Sequence, residues 1–218
     1  MSDFTIYTVP GSPFARAVLA TLEEKGAHYR IVPIAPGTTK QPEHLARHPF
    51  GRMPVLDHRD FRLYETQAIL RYLDRILPAP PLTPADPGAA ARMDQLMSIN
   101  DWYLFQGCLN VIGFQRIIAP RLLGLTPDEA AIAAALPQAR TVFAELSRLL
   151  GEQPYLAGSA LSLADLHIAP QLDLFTLAPE WEELARETPN LPAWLARVAA
   201  RPSMQATTWE KVAAKAAA

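Results

Sequence analysis

Cysteine is nearly absent. Cys108 is the only one in 218 residues, so no disulfide can close within the chain. It lies in an apolar helical stretch rather than at a helix start, which marks a small core side chain and suits a reducing, cytoplasmic setting. Charge of one sign is missing too: Lys and Arg total 20 against 22 Asp and Glu, a net charge of −2. No basic block carries interleaved aromatics, which argues against nucleic acid as a partner. No apolar run reaches membrane-spanning length, and no basic, then apolar leader precedes Phe4, so neither a membrane span nor a secretory signal is expected. No metal site and no internal repeat stand out. What is plentiful is hydrophobic residue, 50% of the chain, enough for one sizeable core or two modest ones.

The first part of the chain alternates strand and helix signals, as an α/β unit does. The pattern predicts a strand over 4–9, an amphipathic helix over 14–25 closed by Gly26, and a second strand over 29–34. A loop at 35–39 and a short helix over 42–47 follow. Two short strands at 54–57 and 62–64 are joined through His58-Arg59-Asp60, and a helix over 65–76 carries Ala68, Ile69, Tyr72, Leu73 and Ile76 at helical spacing. Residues 78–87 then place five prolines in ten positions, which neither a helix nor a central strand accommodates. Beyond this semi-rigid linker the pattern is helical, with breaks expected at Pro120, 124–127, 151–154 and 189–192, and with a terminal alanine-rich run expected to fray. The expected plan is a domain over 1–77, a linker over 78–87 and an all-α domain over 88–218.

Several segments of the small domain carry polar groups suited to one site. Ser12-Pro13 opens the first helix, where backbone N–H groups and the positive end of the helix dipole favour an anion; the same pair also reads as an ordinary N-cap with proline at the first helical position. Met53-Pro54 places proline at a strand entry. With a cis bond, Met53 would present its backbone to an extended ligand; the alternative is an ordinary trans proline at an edge. Glu65-Thr66 puts an acid and a hydroxyl at a helix start, able to take an amine and a carboxylate, or simply to offset the dipole. Lys40 is a second candidate carboxylate partner or a solvated surface lysine. Together these residues describe a pocket for a small, extended, zwitterionic peptide.

At this point the sequence resembles the glutathione transferases, especially their phi-type members. The likeness spans essentially the whole chain and rests on Ser12-x-x-x-Arg16-x-Val18, on Pro42-Glu43-His44-Leu45-x-Arg47-x-Pro49-Phe50-Gly51-x-x-Pro54, and on Glu65-Thr66-x-Ala68-Ile69. The resemblance implies a thioredoxin-like N-terminal domain holding glutathione and an all-helical C-terminal domain holding a hydrophobic electrophile. It implies that Ser12 donates a hydrogen bond to the glutathione sulfur, and that Lys40, Met53, cis-Pro54, Glu65 and Thr66 bind the tripeptide. Phe114 and Ile118 match electrophile-pocket positions and Phe14 is a further candidate, although apolar residues at helical spacing also read as core. Phe50 matches an aromatic that plugs into a partner subunit, so a homodimer is expected. Glutathione is then a co-substrate, with no further cofactor, and the function implied is detoxification by conjugation. Thr66 stands where serine is usual, and Thr39 where phi-type members often carry histidine. Ser162 with Asp165 reads as a structural capping box. Two alternatives stay open: a reductase or isomerase of the same superfamily, whose cysteine or Ser-Ser-x-Cys pattern is missing at Ser12, and a non-catalytic glutathione-binding or scaffold module.

Overall fold

The computed structural model describes residues 3–217. Met1 and Ser2, where no leader pattern is expected, and Ala218, the last residue of the alanine-rich end, lie outside the described residues. Phe4–Thr8 (β1), Tyr29–Pro33 (β2), Val55–His58 (β3) and Phe61–Tyr64 (β4) form one sheet in the order β2-β1-β3-β4. β2 runs parallel to β1, which requires a crossover, and Pro13–Glu24 (α1) supplies it. β3 and β4 are antiparallel additions on the other side. Pro42–Leu45 (α2) and Thr66–Ile76 (α3) complete the expected thioredoxin-like arrangement. Its core is Ile6, Val55 and Leu56 of the sheet with Val18, Leu19 and Leu22 of α1 and Ile69, Leu70 and Leu73 of α3, all fully buried.

Element ends differ from the sequence reading where local chemistry intervenes. β3 starts at Val55 because Pro54 has no N–H to give the ladder. The β3–β4 turn is tighter than expected: His58 pairs with Phe61, and Arg59 takes a positive φ of 56°. Glu65 lies outside α3, at its N-cap, with φ 70° and ψ 114°. Positive φ in a residue with a Cβ costs about 1–3 kcal/mol and persists only where its surroundings impose it.

Chain contacts divide the molecule into two compact units, residues 1–82 together with 200–218, and residues 83–199. The second contains Pro87–Ile99 (α4), Asn100–Leu123 (α5), Glu129–Leu150 (α6), Leu163–Phe175 (α7), Glu180–Glu187 (α8) and Asn190–Ala199 (α9). The break expected at Pro120 does not occur. Residues 100–123 wind in wide π-type turns, in which i→i+5 bonding already dispenses with the ladder that proline interrupts, and the helix ends only at Gly124, φ 65°. Asp165 ties this unit together. Its carboxylate accepts from Leu156 N (2.8 Å), Ser162 N (2.9 Å), Ser162 Oγ (2.8 Å) and Trp194 Nε1 (2.8 Å). Among the described residues no helix is long and apolar enough to cross a membrane.

Residues 200–217 return to the first unit as Pro202–Ala206 (α10) and Trp209–Ala217 (α11). Arg201 donates to both oxygens of Glu24 at 2.7 and 2.8 Å, Ser203 Oγ donates to the same carboxylate, and Lys215 Nζ reaches Glu23 and the Tyr29 hydroxyl at 2.9 Å each. Burial pushes the Glu24 pKa up, but the hydrogen bonds from Arg201 and Ser203 outweigh it and leave the carboxyl below its ordinary value. A depressed folded-state pKa stabilises above the unfolded value of about 4.3 and is lost as pH falls through the lower, folded one. Glu24→Gln is therefore expected to remove about 2 kcal/mol of urea-measured stability at neutral pH, and progressively less as the pH is taken below 4. Equal losses at both pH values would show that the ionised carboxylate contributes nothing.

Candidate active site

Ser12 caps α1, its Oγ accepting the Ala15 N–H at 3.3 Å, with Pro13 at the first helical position. The two sequence readings of this residue turn out to be compatible. A hydroxyl has two acceptor sites and one proton, and the cap occupies only an acceptor site. The O–H stays available at the positive end of a helix of 12 residues.

Strand register brings the other segments to the same end of the sheet. Tyr7 at the top of β1 pairs with Val55 at the foot of β3, so the Met53-Pro54 entry runs beside the turn that leads to Ser12. Val55 in turn pairs with Tyr64, the last residue of β4, which sets Glu65 and Thr66 next to Pro54. The Met53–Pro54 bond is cis. Thr66 is buried, whereas the Glu65 side chain is 63% exposed and aims its carboxylate outward.

Lys40 joins this group through a loop contact. Its Nζ donates to the Phe50 carbonyl at 2.7 Å, which uses one of three ammonium protons. Gly51 allows this close approach. It adopts φ +61°, and a Cβ there would lie 2.6 Å from Thr39 O and 2.8 Å from Lys40 Cδ.

The sequence reading missed His48, which occupies an unspecified position inside the Pro-Phe-Gly motif. Its ring is buried against Tyr64 (centroids 4.6 Å) and edge-on to Phe50 (6.1 Å), with Nε2 3.9 Å from Glu65. Burial, then His44, Arg52 and Lys40, hold its pKa below the ordinary histidine value. The ring is accordingly neutral at pH 7 and meets Glu65 as a dipole rather than as an ion partner. Nothing in the local sequence signals that this histidine is buried.

Phe14 and Ile118 are half-buried, and Phe114 is 37% exposed, while neighbouring Ile112 and Ile117 fill the core. The core of each unit therefore leaves apolar surface at these positions. Phe50 is 62% exposed, so its ring is not spent on its own core. Cys108 is fully buried, its Sγ against Leu104 O at 2.8 Å, and burial pushes its thiol pKa up to about 12. It is inert at physiological pH, as its apolar surroundings in the sequence predict.

Residues 2–75 match the family model of the glutathione S-transferase N-terminal domain, and residues 108–202 match that of the C-terminal domain. The chain belongs to the glutathione S-transferases. A probable glutathione S-transferase from Oryza sativa subsp. japonica, GSTF2, is 35% identical over 190 residues, covering 86% of this chain and 87% of the relative. Glutathione transferase F7 from Populus trichocarpa superposes with a TM-score of 0.84 at 28% identity, over 98% of this chain and 99% of that one. A glutathione S-transferase-I bound with lactoylglutathione superposes with a TM-score of 0.83 at 32% identity, over 98% and 100%. The chain is thus a transferase enzyme of the glutathione transferase fold, with phi-type relatives, and glutathione is the co-substrate of its family.

Proposed function

We propose that this transferase joins the glutathione thiolate to small hydrophobic electrophiles, with Ser12 stabilising the thiolate. The observation that carries the reading is the Ser12 hydroxyl, capped yet with its proton available, at a helix N-terminus on the same sheet end as Pro54, Glu65 and Thr66. A free thiol has a pKa of about 8.5 and is mostly protonated at pH 7. A donated O–H and the helix dipole favour the charged form, and each unit of depression corresponds to about 1.4 kcal/mol. The thiolate attacks an electrophilic carbon; Ser12 is a hydrogen-bond donor and forms no covalent bond.

In this reading Glu65 pairs the glutathione amine, Thr66 and the start of α3 take the adjoining carboxylate, and the Met53 backbone beside Pro54 brackets the extended peptide. Lys40 meets the far carboxylate. Phe14, Phe114 and Ile118 supply apolar surface for an aryl or alkyl electrophile. Glutathione binding falls to the 1–77 region and the electrophile to 88–218, with 78–87 as the linker. The protein acts as a cytoplasmic homodimer with Phe50 at the subunit contact, and the conjugation serves detoxification. The lactoylglutathione held by the structural relative supports a glutathione-shaped ligand. The raised pKa of buried Cys108 disfavours thiol–disulfide chemistry.

The deciding experiment is an ultraviolet difference titration of glutathione bound to the enzyme, following thiolate absorbance against pH. A bound thiol that ionises well below its free pKa supports the serine mechanism; binding with an ordinary thiol pKa overturns it. The Lys40 role has its own check. Gly51→Ala drives a Cβ into Thr39 O and Lys40, and the KM for glutathione is expected to rise about tenfold with kcat within about twofold. An unchanged KM would remove Lys40 from the binding set.

A further inference from the structure

We propose that Trp209 is a positioning residue for Ser12, its indole face bracing the Gly11 turn so that the serine hydroxyl is held on the glutathione sulfur. The inference rests on the serine mechanism above and goes beyond it by naming what holds the serine in place.

The turn between β1 and α1 has little to fix it from within. The Ser12 N–H donates to Val9 O at 3.3 Å, and the Ser12 cap bond to Ala15 is also 3.3 Å, both at the long end of the range. Gly11, one residue before Ser12, takes φ +87° and carries no side chain to pack. The indole fills the place where one would be. A Cβ built on Gly11 would lie 2.6 Å from Trp209 Cδ2 and Cε3 and 2.8 Å from Cε2. Cδ2 is a ring-fusion carbon with no hydrogen, so an approach centred on it is made through the ring face.

The tryptophan is itself held by the returning segment. Arg201 and Ser203 fasten that segment to Glu24 at the C-terminal end of α1. Arg16 Nη2 donates to Met204 O at 3.2 Å further along. Trp209 then reaches Gly11 just ahead of the helix, and Lys215 returns to Glu23 and Tyr29, its ammonium 4.3 Å from the Tyr29 ring centroid. The segment thus lies along the whole of α1, and Trp209 is its contact at the catalytic end. A small rotation about the Gly11 and Ser12 backbone bonds moves Oγ on the ångström scale, and misplacement of that size costs up to about a hundredfold in rate.

The test compares Trp209→Ala and Trp209→Phe with the wild-type enzyme by steady-state kinetics and by titration of the bound glutathione thiol. With alanine we expect kcat to fall about tenfold to a hundredfold, the KM for glutathione to stay within about twofold, and the bound thiol pKa to move back towards about 8.5. Phenylalanine retains a ring face and is expected to recover most of kcat and of the pKa depression. A wild-type thiol pKa in the alanine variant overturns the proposal, and so does a loss shared equally by kcat and 1/KM with the pKa unmoved. If the alanine variant does not fold, Trp209→Leu against Trp209→Phe asks the same question, since leucine keeps apolar bulk without a planar face. Equal thiol pKa values in those two overturn the proposal. An ordinary thiol pKa in the wild-type enzyme overturns the serine mechanism and this proposal together; a depressed wild-type pKa that survives in the variants overturns this proposal alone.

Discussion

Ser12→Ala is expected to lower turnover about 10²–10³-fold, the cost of removing one donor aimed at a reacting anion, while the KM for glutathione moves only a few-fold. The two constants separate because the binding groups assigned to the tripeptide, Lys40, Met53, Glu65 and Thr66, lie on other segments of the sheet end. The substitution also deletes an N-cap, worth about 1 kcal/mol of stability, so the variant should melt a few degrees lower without unfolding at assay temperature. Ser12→Thr retains both the cap and the hydroxyl and should preserve much of the rate. Turnover of a halogenated aryl substrate, measured across glutathione concentrations, reads all three. Wild-type kcat in the alanine variant would remove Ser12 from the chemistry.

Asp165→Ala is expected to produce the largest loss of stability of any single change considered. Its carboxylate accepts four hydrogen bonds in a fully buried site, two of them from Ser162 and one each from Leu156 and Trp194. Truncation strands those donors away from water, at about 1–3 kcal/mol for each buried group left unsatisfied. A total near 3–5 kcal/mol is a large share of a typical folding free energy, so the variant should unfold at much lower urea or fail to accumulate. Burial pushes the Asp165 pKa up, against the pull of its four donors. Asp165→Asn keeps acceptor capacity on one oxygen only and should fall between the two. Near-wild-type unfolding of the alanine variant would show that the site relaxes around the missing carboxylate.

Local chemistry made the α/β unit legible from sequence. Ser12-Pro13 announces a helix start, Pro54 a strand entry and Gly26 a helix end, and each is decided by its own neighbours. The proline-rich stretch likewise carries neither helix nor strand between Ile76 and Pro87. Features fixed by distant contacts were not legible. The positive φ of Glu65 and the burial of His48 depend on β4, α3 and the motif loop meeting in space. The Gly51 requirement depends on Lys40, eleven residues back, crossing over it. At Pro120 a rule of local geometry failed because the surrounding helix had already left the i→i+4 pattern. The segments carrying Ser12, Met53, Pro54, Glu65 and Thr66 lie at one sheet end, a placement set by register, which only the pairing of Tyr7, Val55 and Tyr64 reveals.

The return of residues 200–217 also sets an order of events during synthesis. The contacts that complete the first unit join residues 188 and 192 positions apart, Arg16 to Met204 and Glu23 to Lys215. Residues 83–199, by contrast, form a continuous stretch. On the ribosome the sheet and its helices emerge first yet must wait, unbraced, until the whole helical unit has been translated. Only then can Trp209 reach Gly11, so the turn ahead of α1 is braced by residues translated after the whole helical unit.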